Sequence, residues 1–447
     1  MKTILSLIIF IVLLYWVCKI YFSKELKFRA VEYGKGERYL LSRNMYFVIF
    51  TVCTAPIFLG SLSLLKYGLW FMAVLVLLFT SKVRMKFEAM TVMYSIFFLW
   101  LCYTMTYTTV PRDGAMMLVK FALPMSFLWL GYSAINNEKD LITFLKVVNV
   151  AACIYCSFMG GFASTFISPL YMFTWGICSV YATFADFLTS IFIVPILLYW
   201  LTKEKKYIFC ALWMVLSTVL DSVRTGMGGM MLVFAVALLL KNKAKALPGL
   251  LFAGGLFLGV ILFVPSVNEK FFGDEAGKVS ATDIVQGDAM SMDNIEMSGR
   301  EYMWERVLDN CYYGNETFGG GLGTSGRFVK NYGEATQGLV MMHNDYLQIL
   351  CDTGKVGIVL IILFYLSVIF KVTAHTALRR SSVLVKLTGI MALSSMAGIG
   401  FCMYFDNVVS NSMQSMVMPY IYLGFFLKAL DVEGSNKKTL QILRGRK

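Results

Sequence analysis

Apolar windows of about 17 to 22 residues recur from one end of this sequence to the other, each the length of helix that crosses roughly 30 Å of hydrocarbon. No other feature limits the fold as much. In lipid every backbone N–H and C=O must find its partner within the protein, which leaves transmembrane helices or a closed barrel. A barrel would show short segments of alternating polarity, and these are absent. With 58% of residues hydrophobic, the chain also exceeds what a soluble core requires. The sequence predicts an all-α polytopic membrane protein.

Charge sets the orientation of the windows. A net charge of +13 would suit nucleic acid if it formed one patch, but it is divided among short clusters. Lys24, Lys27, Arg29, Lys35, Arg38 and Arg43 share one polar gap, Lys82, Arg84 and Lys86 another, and Lys203, Lys205 and Lys206 a third. Lys241, Lys243 and Lys245, then Arg379, Arg380 and Lys386, and finally KKTLQILRGRK continue the series. Each cluster flanks apolar windows, which is the positive-inside pattern and argues against a nucleic-acid partner.

With every cluster on the cytoplasmic side, hydropathy gives about 12–13 transmembrane helices. Their approximate spans are 3–22, 44–61, 64–80, 88–108, 115–134, 141–162, 181–201, 207–223, 227–240, 247–265, 355–374, 387–406 and 413–430. An odd count puts the amino terminus outside, and the loss of one early helix would move it inside. The first window, ILSLIIFIVLLYWVCKIYF, has no small-residue cleavage site and reads as a retained helix.

The expected organisation is transmembrane helices 1–10 over residues 1–265, a large extracytoplasmic loop over 266–354, helices 11–13 over 355–430 and a basic cytoplasmic tail over 431–447. Acidic residues dominate the long loop, in keeping with an outer position. Loops of this length usually carry function. Within it, Ser298 and Glu301 stand at capping-box spacing before a short helix, and a second short helix is expected from Asn344 or Asp345 to near Gly354. Most of the ten cysteines fall inside apolar runs, where a thiol acts as a small hydrophobe. Cys311 and Cys351 share the outer side and are expected to remain unpaired thiols.

Several outer residues suit an anionic ligand. Arg300 falls in the first turn of its helix, where free N–H groups and the helix dipole favour a phosphate and a guanidinium adds a bidentate clamp. Pairing with one of the nearby acids is the plainer alternative. Arg224 lies between two apolar runs, where a charge is functional by default, against snorkelling or pairing with Asp221 on the same helix face. Arg112 and Lys120 repeat the theme at another outer end. Gly319, Gly320, Gly321 and Gly323 could offer backbone N–H groups to a ligand or form a surface turn. His343 is one of two histidines and the acid/base candidate on the outer side, with a capping or interfacial role as the alternative. There is no P-loop, Rossmann glycine pattern or zinc-type histidine cluster. No metal ligands and no cofactor are expected.

Three stretches, SGREYMWERVL, FGGGLGT and HNDYLQILCDTGKVGIVLIILF, together resemble the O-antigen polymerase and O-antigen ligase family of bacterial membrane glycosyltransferases. The matching positions are Gly299, Arg300 and Trp304, then Gly321 and Gly323, then His343, Asn344, Leu347, Gly354 and Gly357. LDSVRTG resembles the family's earlier arginine motif, with Arg224 at the arginine and Val223 where a serine is expected. The resemblance implies a C-type glycosyltransferase-like fold in the bacterial inner membrane, with the active site on its periplasmic side. It implies metal-independent, inverting transfer of a glycan from undecaprenyl diphosphate, without a cofactor. His343 would be the general base, Asn344 or Asp345 would orient it, and Arg224, Arg300, Arg112 and Lys120 would bind the donor. Trp304, Asp221, Gly321 and Gly323 would support them. The acceptor is a second lipid-linked repeat unit for a polymerase or lipid A-core for a ligase, with a chain-length regulator protein as a further partner. A flippase for lipid-linked sugars is the remaining alternative; it would place ionisable residues near the midplane and repeat its helices inverted.

Overall fold

The computed structural model describes residues 88–158, 181–273, 299–332, 339–378 and 380–444, with a few positions between 68 and 75 and between 276 and 279. The expected crossings at 3–22 and 44–61, and most of 64–80, lie outside the described residues.

Within them the regular structure is helical and no strand occurs. In chain order the helices are α1 (Ala89–Thr104), α2 (Pro111–Ala134), α3 (Glu138–Phe158), α4 (Tyr181–Ile191), α5 (Ile193–Thr202), α6 (Lys206–Leu220), α7 (Arg224–Asn242) and α8 (Leu247–Phe263). There follow α9 (Pro265–Phe272), α10 (Arg300–Val307), α11 (Thr324–Asn331), α12 (Asp345–Thr373), α13 (Val383–Phe405), α14 (Ser412–Ser415) and α15 (Val417–Arg444).

Among the described residues, five stretches are long and apolar enough to cross a membrane, or six if Val409–Ser415 and Val417–Ser435, bent by 58°, count as one broken span. One of the five, Arg224–Phe263, counts as 40 continuous residues but is a hairpin. Lys243 turns the chain at φ 53°, and Met227 on α7 then shares an apolar cluster with Ile261 on α8. Two expected crossings therefore stand there, as the sequence suggests. Helices α1 and α6 are apolar but shorter than a full span.

The expected short helix from Asp345 and the expected crossing from residue 355 meet at Gly354, where φ 69° and ψ −171° divide α12 into two helical segments. One boundary differs from expectation. The tail from residue 431 continues α15 as helix to Arg444. Helix α10 is preceded by Gly299 at φ 76° with no side-chain cap, and the expected cap, Ser298, lies outside the described residues.

Small residues set the helix spacing. A Cβ on Gly131 would lie 2.4 Å from Ile421 O, and one on Gly424 would lie 2.1 Å from Leu128 O, so α2 and α15 touch backbone to backbone. Gly229 and Gly398 bring α7 and α13 together in the same way. Without a hydrophobic force between helices in lipid, such close contact is what holds them.

The long loop has its own core of Met303, Val307, Val329, Met342 and Cys351, with Cys311 packed against it. Both cysteines are free thiols, and burial pushes the Cys311 thiol up to about 11. Cys153 and Cys156 stand in a Cys-x-x-Cys spacing on α3, and both are buried free thiols.

The kink at Gly354 is a seam between loop and membrane helix. Trp100 Nε1 donates to Thr353 O at 3.0 Å, while the amides of Gly320 and Gly321 donate to Cys351 O and Asp352 O at 2.9 and 3.0 Å. A Cβ on Gly354 would lie 2.2 Å from Thr317 O, in a backbone region that only glycine enters freely. Gly354→Ala is therefore expected to destabilise the protein by about 3 kcal/mol, from backbone strain plus overpacking. A lower midpoint in thermal unfolding of the detergent-purified protein would register it, and an unchanged midpoint would refute it.

Candidate functional site

One end of the bundle gathers the start of α2, the turn between α6 and α7, helix α10, the start of α12 and the loop after α13. Asp352, on the first segment of α12, organises the glycine-rich stretch. Its Oδ2 accepts from Gly323 N at 2.8 Å, and its Oδ1 accepts from Ser325 N at 2.9 Å and Ser325 Oγ at 2.6 Å. The carboxylate thus caps α11, a favourable place for negative charge. The amides of Gly321 and Gly323 are taken up inside the protein and both residues are buried, so they form neither a ligand-facing loop nor the surface turn that is the alternative.

His343 stands just before α12 in a left-handed conformation, φ 52°, which is uncommon for any residue but glycine. Its surroundings hold the backbone there. Trp304 Nε1 donates to Met342 O at 2.8 Å, Asn407 Oδ1 accepts from His343 N at 2.8 Å, and Asn344 Oδ1 caps α12 by accepting from Leu347 N at 2.9 Å. The side chain is 25% exposed, enough for a ligand to reach the ring. Strain of this kind, fixed from three sides, is characteristic of functional positions.

Neither residue expected to orient the imidazole touches it. Asn344 is the helix cap, and Asp345 turns inward, where its Oδ2 accepts from Val409 N at 2.9 Å and its Oδ1 has no hydrogen-bond partner. The ring instead meets Asp406 and Asn407. Nδ1 lies 3.3 Å from Asp406 Oδ1 and 2.9 Å from Asn407 Nδ2, and Asp406 Oδ1 also accepts from Asn407 N at 2.8 Å. The sequence reading missed both residues. An Asp-Asn pair closing the apolar run SSMAGIGFCMYF on the same outer side was the available signal.

Arg300 reaches the same segment. Its Nη1 donates to Phe405 O at 2.6 Å; burial draws the guanidinium below its ordinary value, and the nearby Asp406 carboxylate opposes that. A half-buried cation of this kind is relieved by an anion. The uncapped start of α10 leaves first-turn amides beside it.

Arg224 is the first residue of α7, and its guanidinium lies 5.7 Å from the centre of the Phe271 ring. Next to it, Thr225 O accepts from Cys402 Sγ at 3.5 Å, one turn below Asp406, so Arg224 belongs to the same end. Asp221 closes α6, and Ser222 at φ 51° separates it from α7. Asp221 and Arg224 therefore stand on two helices that meet at a turn and not on one helix face.

Lys120 lies within α2, with Asp345 as its electrostatic partner. Arg112 is exposed near the start of α2, beside the ion pair of Asp113 with Arg327, and is not drawn into the cluster around residues 405–409. A further carboxylate, Asp186 on α4, is buried next to Cys402 and feels Asp406. Among the described residues no three Asp, Glu, His or Cys side chains gather as a metal centre.

An apolar groove of about 470 Å³ runs between α5, α6, α7 and α8. Met227, one turn below Arg224, lines it at the site end, and Trp200 and Leu238 line it at the other.

Residues 209–362 match the family model described as O-antigen ligase. The match covers about a third of the chain and bears out the resemblance to the O-antigen polymerase and ligase family; it contains Arg224, Arg300 and His343 but ends before Asp406. No curated protein matches the chain.

Proposed function

We propose that this protein transfers a glycan from undecaprenyl diphosphate to a sugar hydroxyl on a second lipid-linked repeat unit, as a polysaccharide polymerase. The observation that carries the reading is the convergence of His343, Arg300 and Arg224 on the end of α13. A base and two guanidinium groups at the mouth of an apolar groove match the parts of a lipid diphosphate donor. The diphosphate sits between Arg224 and Arg300, and the polyprenyl chain follows the groove from Met227.

In the transfer, the acceptor oxygen bonds to the anomeric carbon on the face opposite the diphosphate. The bond from that carbon to the diphosphate oxygen breaks, and its electron pair leaves on the diphosphate, which inverts the centre. The hydroxyl proton passes to His343 Nε2. The two arginines hold the charge that grows on the leaving group, where prepositioned cations are most effective. Lys120 supports the site through Asp345. Arg112, at the exposed rim, is suited to a more distant part of the donor.

The basic clusters favour an outward-facing site. Lys203, Lys205, Lys241, Lys243 and Lys245 lie at the opposite end of the helices from His343, as the positive-inside pattern asks of a cytoplasmic face. The inner membrane of a bacterium, with the site on its periplasmic side, fits that orientation.

The description of the matched family supports a ligase as a second reading, with lipid A-core as acceptor. The two separate in cells that make a laddered surface polysaccharide. Inactivating this gene is expected to leave a single repeat unit on the final acceptor. Polymer accumulating on undecaprenyl diphosphate would establish the ligase instead, and an unchanged ladder would refute both.

A further inference from the structure

His343 has two competing partners at one nitrogen. Asn407 Oδ1 is fixed by His343 N–H at 2.8 Å, so the amide nitrogen of Asn407 must be the atom that faces Nδ1, at 2.9 Å. An amide nitrogen only donates. Nδ1 must then present its lone pair, and the neutral ring carries its proton on Nε2. In that form Nε2 cannot take a proton. Asp406 Oδ1, 3.3 Å from the same Nδ1, only accepts when ionised, and it favours the opposite tautomer, with the proton on Nδ1 and a lone pair on Nε2.

We infer that Asn407 and Asp406 form a two-position selector for the His343 tautomer, with Asn407 holding the ring in the Nε2–H form at rest and Asp406 receiving Nδ1–H when the ring turns toward it. The inference rests on the proposed transfer only in naming the turned form as the one that accepts the acceptor's proton. Both residues act through the imidazole and are positioning residues. No net proton is gained or lost: solvent supplies one at Nδ1 and takes one from Nε2. The other charged groups around the ring are Arg300 at the start of α10, Asp345 on α12 with Lys120 of α2 behind it, Asp186 of α4 and Arg224 of α7. Of these, Asp186 and Asp345 reach the ring through Asp406.

The test uses the full-length protein with selectively ¹⁵N-labelled histidine. The chain has two histidines, so His375→Gln leaves His343 as the sole signal. At a pH where the ring is neutral, Nδ1 is expected at the shift of an unprotonated nitrogen and Nε2 at that of a protonated one. Asn407→Asp keeps the acceptor for His343 N–H but removes the donor to Nδ1, and is expected to reverse the two. A protonated Nδ1 in the parent protein, or no reversal in Asn407→Asp, would overturn the selector, and the parent spectrum alone decides if the variant does not fold. The expected spectra from a parent protein that transfers no glycan would keep the selector and refute the transferase reading.

Discussion

His343→Ala is expected to lower glycan transfer by about 10²–10⁴-fold, the span typical of a positioned general base. The loss should lie in kcat, since in the proposed transfer the imidazole would meet the acceptor hydroxyl in the transition state while the arginines would hold the diphosphate. Binding of undecaprenyl diphosphate to the purified variant should be unchanged. Alanine also removes the partner of Asp406 and Asn407, so His343→Gln is a useful companion: it keeps bulk and hydrogen-bonding capacity but cannot take a proton. Gln should fail as completely as Ala. Transfer by a well-folded His343→Gln variant within a few-fold of the parent would refute the base assignment.

Arg300→Ala is expected to cost about 10²–10³-fold, comparable to losing one prepositioned donor to a developing oxyanion. Here weaker donor binding should accompany slower transfer. Lysine at this position keeps the charge but loses the planar fork, so Arg300→Lys should recover part of the binding and little of the rate. The guanidinium also donates to Phe405 O at 2.6 Å, next to Asp406. Part of the effect will therefore reach the His343 partners, and the two losses should be less than additive in the double variant. Equal donor affinity in Arg300→Ala and the parent would remove Arg300 from the diphosphate site.

Much of this molecule is legible in its sequence. Apolar windows mark the helices because lipid leaves no other way to satisfy the backbone, and α2, α13 and the α7–α8 hairpin lie close to their expected spans. His343, Arg300 and Arg224 stand out because polar groups at membrane ends are few. Their partners do not stand out. Asp406 is 63 residues from His343, and only the packing of α13 against α7 and α12 brings it there. The glycines around residue 321 read as a surface turn or a ligand loop, but their amides turn inward to the first segment of α12, Gly323 to the Asp352 carboxylate, which nothing in the local sequence marks as a cap. The break inside α12 is legible too, since Gly354 ends one helical segment and the membrane crossing starts after it.

The loop from Phe405 to Val409 has a consequence for biogenesis. Arg224, Arg300 and His343 all leave the ribosome before this segment does, yet Arg300 and His343 have partners on it. A nascent chain paused after α12 would carry these three residues without the Asp406 and Asn407 contacts to His343, and with its strained φ unsupported. The site is thus complete only once the segment after α13 is in place, and a chain that stops short of it lacks both Asp406 and Asn407 beside the His343 ring.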